Sequence, residues 1–139
     1  MHGRRNSVAG IAIDGKRIFI ARRKAGGDIG GKWEFPGGKV EINESAEAAL
    51  RREYREEFGL DISAGAHIGS SSFEHGGTAF TLDAYHIFLE APETVTLSEH
   101  SEAKWALLDE IRTLDFADSD RGLFNALEAY IKRQPCIKQ

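Results

Sequence analysis

Short apolar runs near the start of the chain predict a β-hairpin. Residues 7–13 and 17–21 are rich in β-branched side chains, and Asp14-Gly15 between them suits a tight turn. The glycine-rich residues 22–32 have too little apolar content for a packed element, so we expect a loop there. Residues 33–40 contain Pro36-Gly37-Gly38, which predicts a bend and a close approach of the backbone.

Helical composition is strongest in residues 45–58, where most positions are Ala, Leu, Arg or Glu. Gly59 follows as a residue suited to end a helix, so we predict a central helix over this segment. Residues 66–73 and 78–89 flank His75-Gly76-Gly77 and suggest a longer hairpin. Residues 103–108 predict one more short strand, followed by a brief helical turn after Asp109.

The end of the chain predicts a last helix. Leu123, Leu127 and Ile131 recur at helical spacing, and Ser119 or Asp120 is suited to cap the helix that carries them. Strands that mostly follow one another as hairpins, with one central and one terminal helix, imply a mixed sheet covered by helices. The predicted fold class is therefore α+β.

Length and charge narrow the possible functions. The chain has 139 residues, 41% hydrophobic and 29% charged, and a net charge of -4, so we expect one domain over residues 1–139. The mild acidity disfavours binding to a nucleic acid polymer. The apolar runs fall short of the roughly 18 residues of a membrane span, which predicts a cytoplasmic protein. Cys136, the single cysteine, has no partner and is expected to be a bystander.

One face of the predicted central helix changes from apolar to acidic along its length. Its stripe comprises Ala46, Ala49, Leu50, Glu53, Glu56 and Glu57. Three carboxylates near the C-terminal end repel one another and oppose the helix dipole, so the arrangement favours binding of a cation such as Mg²⁺. Arg52 and Arg55 are expected to project to the opposite side of the helix from the glutamates. The alternative is a solvated acidic face with salt bridges to arginine.

The stretch from Gly38 to Leu60 resembles the Nudix box, G-x5-E-x7-R-E-U-x-E-E-x-G-U, where U is a bulky apolar residue. The matching positions are Gly38, Glu44, Arg52, Glu53, Glu56, Glu57, Gly59 and Leu60. Tyr54 is aromatic where an aliphatic residue is commoner, which we expect to affect packing more than chemistry. The runs Trp33-Glu34-Phe35-Pro36-Gly37 and Ala21-Arg22-Arg23 are similar to the MutT-type branch. The resemblance implies a Nudix fold, an α/β/α sandwich with a mixed sheet between helices.

The resemblance also implies the ligands of a divalent metal. Mg²⁺, with Mn²⁺ as an alternative, is expected on Glu53, Glu56 and Glu57, assisted by the carbonyl of Gly38. Glycine at that position lets the backbone approach the ion without a Cβ in the way. Glu44 lies at the helix entrance, where a carboxylate favours the positive end of the dipole, so we interpret it as structural.

Two sets of residues compete for the role of general base. One is a box glutamate, Glu53 or Glu56, and the other is Glu99, which resembles a further metal-binding or basic glutamate in the loop before a late strand. We favour Glu99. Arg52 is expected to orient a glutamate through a charge-assisted hydrogen bond. His100 is expected to be a capping or packing histidine rather than a base.

Substrate contacts are predicted at three polar residues. Arg23 resembles a position that holds a substrate phosphate, a task that suits a guanidinium. Asp120 matches a position that reads the edge of the base, although helix capping needs the same residue type. Glu34 is the other polar candidate in the cleft. Aromatic residues that could stack on a base, but are more typical of a core, are Phe35, Phe73, Phe80 and Phe88.

The function implied is metal-dependent hydrolysis of a nucleoside triphosphate between the α and β phosphates. The products would be a monophosphate and pyrophosphate, with oxidised or surplus nucleotides among the substrates. Alternatives are cleavage of ADP-ribose or a dinucleotide, a catalytically silent nucleotide sensor, and an adaptor domain. The complete box argues against the sensor. The expected partner is a small nucleotide, and the expected assembly is a monomer or a homodimer.

Overall fold

The computed structural model describes residues 5–27, 30–90 and 95–134. Cys136 lies outside these residues. The strands are β1 (Arg5–Asp14), β2 (Arg17–Arg23), β3 (Trp33–Glu34), β4 (Gly37–Lys39), β5 (Asp61–His75), β6 (Thr78–Glu90) and β7 (His100–Leu107). The helices are α1 (Ala46–Phe58), α2 (Leu108–Ile111), α3 (Asp118–Arg121) and α4 (Phe124–Arg133). None of the helices in the described ranges is long and apolar enough to cross a membrane.

Both predicted hairpins are present. β1 and β2 pair antiparallel around Asp14-Gly15, and β5 and β6 pair antiparallel up to His75 and Thr78. β5 begins at Asp61, earlier than the predicted residue 66. Register shifts after Ala64 and after His67 interrupt the two-residue alternation, and this explains why the pattern missed the first part of the strand.

The sheet is mixed, as predicted. Its order is β3-β2-β1-β6-β5, with β4 paired to β1 and β7 paired to β2. β1 and β6 run parallel, whereas the other paired strands are antiparallel. The strands β3 and β4 flank the bend predicted at Pro36. The loop predicted to start at residue 22 starts two residues later, because Arg22 and Arg23 belong to β2.

The sheet buries an apolar core on each face. Alternate residues of β2 point to opposite sides, so that Ile18 and Ile20 pack with α4 and Phe19 and Ala21 pack with α1. The α1 side is closed by large apolar residues of that helix and its surroundings, including Leu50, Tyr54, Phe58 and Leu60. Helices therefore cover both faces, and the α/β/α sandwich is confirmed.

Helix α1 ends at Phe58 and is followed by Gly59, as predicted, but it begins one residue later than predicted because Ser45 caps it. The Ser45 hydroxyl accepts a hydrogen bond from the Ala48 N–H at 3.1 Å, and Gly59 ends the helix with a φ of 68°. Tyr54 is fully buried and donates a hydrogen bond to the carbonyl of Gly10 at 2.8 Å, which fixes the helix to β1. The aromatic residue in the box thus contributes to packing, as expected.

The predicted cap of the last helix is wrong. The segment forms two helices, α3 and α4, whose N-cap residues are Ala117 and Leu123, and neither makes a side-chain capping hydrogen bond. Asp120 lies inside α3, and its carboxylate accepts a hydrogen bond from the Phe35 N–H at 2.8 Å. It therefore connects α3 to the chain next to β3.

Candidate active site

The C-terminal half of α1 faces the bend at Gly38. A Cβ on Gly38 would overlap the carboxylate of Glu53, so only glycine lets this carboxylate approach the backbone so closely. The structure therefore brings together two residues that the sequence analysis proposed as neighbours in a metal site.

Arg52 joins several carboxylates at the solvent-facing end of the site. Its Nε and NH2 atoms donate to the two oxygens of Glu44 at 2.8 and 2.9 Å, and NH1 donates to Glu53 at 2.9 Å. The same NH1 atom lies 3.8 Å from Glu56. We call Arg52, Glu44, Glu53 and Glu56 the outer cluster.

The position predicted for Arg52 is therefore wrong, while that of Arg55 is confirmed. A helical wheel places Arg52 opposite the glutamates, but its long side chain reaches Glu53 beside it. Arg55 instead pairs with Asp61. The planar guanidinium of Arg52 donates to both oxygens of Glu44. These hydrogen bonds, together with one from the Glu41 N–H, lower the pKa of Glu44 to about 2.

The three box glutamates differ sharply in exposure. The side chain of Glu53 is 15% exposed and that of Glu56 is 62% exposed, whereas Glu57 as a residue is only 3% exposed. Burial raises the pKa of the Glu57 carboxyl well above its usual range, and the nearby carboxyls of Glu53 and Glu34 raise it further. The Glu57 Oε1 atom has no hydrogen-bond partner among the described residues. A buried carboxylate oxygen with no partner favours binding of a cation.

Strand register brings Arg23 and Glu34 to the same side of the sheet as Glu57. Glu34 pairs with Ala21, which packs on the α1 side, and Arg23 is two residues further along β2. Arg23 NH1 lies 3.3 Å from Glu34 Oε2. The substrate-binding candidates Arg23 and Glu34 are therefore ion-paired with each other at the inner end of the site.

His100 completes this inner group. It is the register partner of Arg23 on β7, its side chain is 0% exposed, and its Nε2 atom lies 2.7 Å from Glu34 Oε2. Its ring stacks on Phe58 with centroids 5.0 Å apart, so the packing role expected for it is confirmed. We call Arg23, Glu34, Glu57 and His100 the inner cluster.

Three members of the inner cluster form a group that could hold a metal ion. One ligand atom from each of Glu34, Glu57 and His100 lies within 4.8 Å of the others. His100 and Glu34 could not be connected from the sequence, because 66 residues separate them and only the sheet register brings them together. The only local signal was that His100 follows Glu99 directly.

Glu99 lies at the rim of the site. Its side chain is 55% exposed and pairs with Arg23 NH2 at 3.4 Å. The hydroxyl of Ser98 donates to the carbonyls of Glu56 and Glu57, at 3.1 and 3.3 Å, and so holds this loop against the end of α1. Arg23 therefore contacts both Glu34, on the inside, and Glu99, at the rim.

Asp120 lies close enough to Glu34 of the inner cluster to feel its charge, but it belongs to helix α3. It is buried, and burial followed by the charge of Glu34 raises the pKa of Asp120 to about 7. The Phe35 N–H and the Ser119 hydroxyl donate to its two oxygens and oppose that rise. Its remaining acceptor capacity is available for a further donor.

The four candidate aromatic residues differ in exposure. Phe35 is buried against Phe116, with ring centroids 5.0 Å apart, and belongs to the core. Phe73 and Phe80 stack on each other at 5.0 Å and are half-buried. Phe88 is half-exposed beside His86.

The chain belongs to the NUDIX domain family, which it matches over residues 3–127. It is 37% identical over 125 residues to the CTP pyrophosphohydrolase of Escherichia coli (strain K12), covering 90% of this chain and 91% of that protein. It is 32% identical over 119 residues to the oxidized purine nucleoside triphosphate hydrolase of Mus musculus, covering 84% and 75% of the two chains. The solution structure of the E. coli ORF135 protein superposes with a TM-score of 0.85, at 33% identity, over 98% of this chain and 96% of that one.

Proposed function

We propose that this chain hydrolyses a nucleoside triphosphate between its α and β phosphates and releases a nucleoside monophosphate and pyrophosphate. The observation that carries the proposal is the set of box glutamates on α1: Glu53 lies against Gly38, and the buried Glu57 has one oxygen without a hydrogen-bond partner among the described residues. The two curated relatives bear the names of nucleoside triphosphate hydrolases.

The residues suited to hold Mg²⁺ are the carboxylates of Glu53, Glu56, Glu57 and Glu99 with the carbonyl of Gly38. All offer oxygen, the ligand that Mg²⁺ prefers, and Mn²⁺ accepts the same set. A bound divalent ion supplies positive charge that neutralises the phosphate oxygens during hydrolysis.

The protein side chains have separate tasks in this proposal. Arg52 holds Glu53 in place through a charge-assisted hydrogen bond, which keeps the carboxylate against Gly38. Arg23 exchanges its ion pair with Glu99 for a substrate phosphate. Glu99 then accepts the proton of the attacking water, for which its half-exposed position at the rim leaves room; Glu53 or Glu56 is the alternative base.

Glu34 and Asp120 are the proposed base-reading residues. Both are buried carboxyl groups and therefore offer acceptor oxygens. A base with an exocyclic amino group can donate to such oxygens, as cytosine does through its N4 amino group, whereas a carbonyl at the same position cannot. We therefore propose substrates whose base carries an amino group on the edge that enters the site, and CTP and UTP form the matched pair that tests this.

The test is turnover with Mg²⁺, and separately with Mn²⁺, across CTP, UTP, oxidised purine nucleoside triphosphates and ADP-ribose. Monophosphate and pyrophosphate are measured separately. We expect equal amounts of the two products from at least one triphosphate and a higher kcat/KM for CTP than for UTP. Orthophosphate in place of pyrophosphate, or turnover of ADP-ribose alone, contradicts the proposal.

We also propose that residues 1–139 form one NUDIX domain, because the described strands belong to one sheet. The cytoplasm is the proposed location, and a monomer or a homodimer is the proposed assembly.

A further inference from the structure

His100 makes the shortest polar contact to Glu34. Its Nε2 atom lies 2.7 Å from Glu34 Oε2, compared with 3.3 Å for Arg23 NH1 at the same oxygen. The His100 side chain is fully buried, while that of Arg23 is 29% exposed. Arg23 is shared with Glu99 at the rim, whereas His100 is the more deeply buried of these two partners of Glu34.

The direction of this hydrogen bond follows from the surroundings of the imidazole. The same Glu34 oxygen already accepts a hydrogen bond from the guanidinium of Arg23, and a carboxylate oxygen can only accept. His100 Nε2 therefore carries the proton and donates it. The Nδ1 atom has no partner among the described residues, and a bare nitrogen is less costly to bury there than an unpaired N–H.

The histidine ring is itself held in place. It stacks on Phe58, the last residue of α1, with an interplanar angle of 12°, and its backbone pairs with Arg23 across β2 and β7. The stacking of the ring on Phe58 and the strand pairing of the backbone together give the Nε2–H one direction, toward Glu34 on β3. His100 thus connects the helix that carries the box glutamates to the strand that carries a base-reading candidate.

We propose that His100 is a positioning residue that holds the Glu34 carboxylate as a hydrogen-bond acceptor and thereby contributes to the choice of base. The proposal rests on the function proposed above, since Glu34 is taken to face the base. If His100 served only packing, its ring would matter but its Nε2–H donor would not. This difference makes the two roles separable.

The test is a double-mutant cycle on the ratio of kcat/KM for CTP to kcat/KM for UTP. His100→Phe keeps an aromatic ring against Phe58 and removes the donor, and Glu34→Ala removes the acceptor. We expect His100→Phe to lower the ratio by about tenfold in the wild-type background, in line with the value of one base-edge hydrogen bond, and to leave it unchanged in the Glu34→Ala background. His86→Phe is the matched control, because this substitution also removes a histidine hydrogen bond, the one to Tyr130, but outside the site.

An unchanged ratio in the wild-type background, or the same drop in both backgrounds, overturns the proposal. Nitrogen-15 NMR of the histidine rings gives a second measurement that needs no turnover, with His100→Phe identifying the signal. We expect a proton on Nε2 and none on Nδ1, both before and after Mg²⁺ is added. A proton on Nδ1 alone, or loss of the Nε2 proton when Mg²⁺ binds, contradicts the positioning role.

The same data separate this inference from the proposed function. If the wild-type protein releases no pyrophosphate from any triphosphate, the proposed function fails, whereas the NMR result still reports whether His100 donates to Glu34. If the wild-type protein is active and the cycle is additive, only the positioning role fails.

Discussion

The outer and inner clusters are both rich in carboxylates, yet they balance their charge in different ways. In the outer cluster one arginine binds Glu44 through both oxygens and Glu53 through one, at the edge of solvent. In the inner cluster Glu57 is buried with an oxygen that lacks a partner, and Arg23 is shared between Glu34 and Glu99. The comparison shows that the protein already balances the carboxylates of the outer cluster, whereas burial raises the pKa of Glu57 in the inner cluster, so that this carboxyl holds a proton unless a cation replaces it.

Replacing the buried box glutamate tests this comparison most severely. Glu57→Gln is expected to lower kcat by about 10³-fold or more on every substrate, because the charge that would bind the metal is lost and metal assistance is worth several kcal/mol. The melting temperature of the metal-free protein should not fall, since burial raises the pKa of Glu57 and keeps this carboxyl neutral, and glutamine is neutral as well. Steady-state kinetics and thermal unfolding check the two effects.

Glu47→Gln is the matched control, because Glu47 is an exposed residue of the same helix. It should leave kcat unchanged. Full activity of Glu57→Gln, or its unfolding at the temperature of the assay, contradicts the role assigned to Glu57.

The pH dependence of stability provides a second test of the buried carboxyls. The folded pKa of Asp120 is about 7, above its ordinary value of 3.8, so the folded state binds the proton more tightly. Its contribution to the free energy of unfolding is therefore complete below about pH 4 and is lost as pH rises through about 7. Each pKa unit between the folded and unfolded values is worth about 1.4 kcal/mol, so we expect the free energy of unfolding to change by a few kcal/mol.

Urea unfolding of the wild type and of Asp120→Asn between pH 4 and pH 8 measures this contribution. As pH rises, the free energy of unfolding of Asp120→Asn should increase relative to that of the wild type. A constant difference over that range shows that Asp120 does not titrate as described.

Much of the outer cluster could be predicted from the sequence, because its residues lie in one continuous segment with helical spacing. The end of α1 at Gly59 followed from local composition, whereas the closeness of Gly38 to Glu53 followed from the resemblance to the Nudix box. The path of Arg52 did not, since a helical wheel fixes where a side chain begins but not where a long, flexible chain ends.

The inner cluster was harder to predict because its residues come from separate strands. Arg23, Glu34 and His100 meet through the register of β2 with β3 and β7, and no pattern along the chain encodes that register. Asp120 shows the same limit: a capping residue and a buried acceptor have the same residue type, and only the hydrogen bond from Phe35 separates them. The type of each residue indicated its chemistry, whereas its burial could be known only from the tertiary fold.

A third test compares two replacements of Asp120. Asp120→Ala leaves the buried Phe35 N–H without an acceptor and should lower the free energy of unfolding by about 1–3 kcal/mol. Asp120→Asn keeps an acceptor for that N–H and should be close to the wild type at low pH. Chemical denaturation at pH 5 checks both, and equal stability of the two variants counts against the importance of this hydrogen bond.

The smallest expected effect concerns the arginine of the outer cluster. Arg52→Lys keeps the charge but loses the bidentate hydrogen bonds to Glu44, and it should reduce kcat by about tenfold, as loss of an orienting partner commonly does. Arg51→Lys, in the exposed pair with Glu47, is the control and should have no effect on kcat. Equal kinetics of the two variants indicate that Arg52 is only a surface ion pair.

The most direct test of the separation between metal-binding and base-reading carboxylates is kcat/KM for CTP and for UTP in the wild type, Glu56→Gln and Glu34→Gln. The account predicts that Glu56→Gln lowers both values by the same factor, so that their ratio is unchanged, while Glu34→Gln lowers the ratio. If Glu34→Gln reduces the two values equally, or if Glu56→Gln changes the ratio, the separation of metal binding from base selection is wrong.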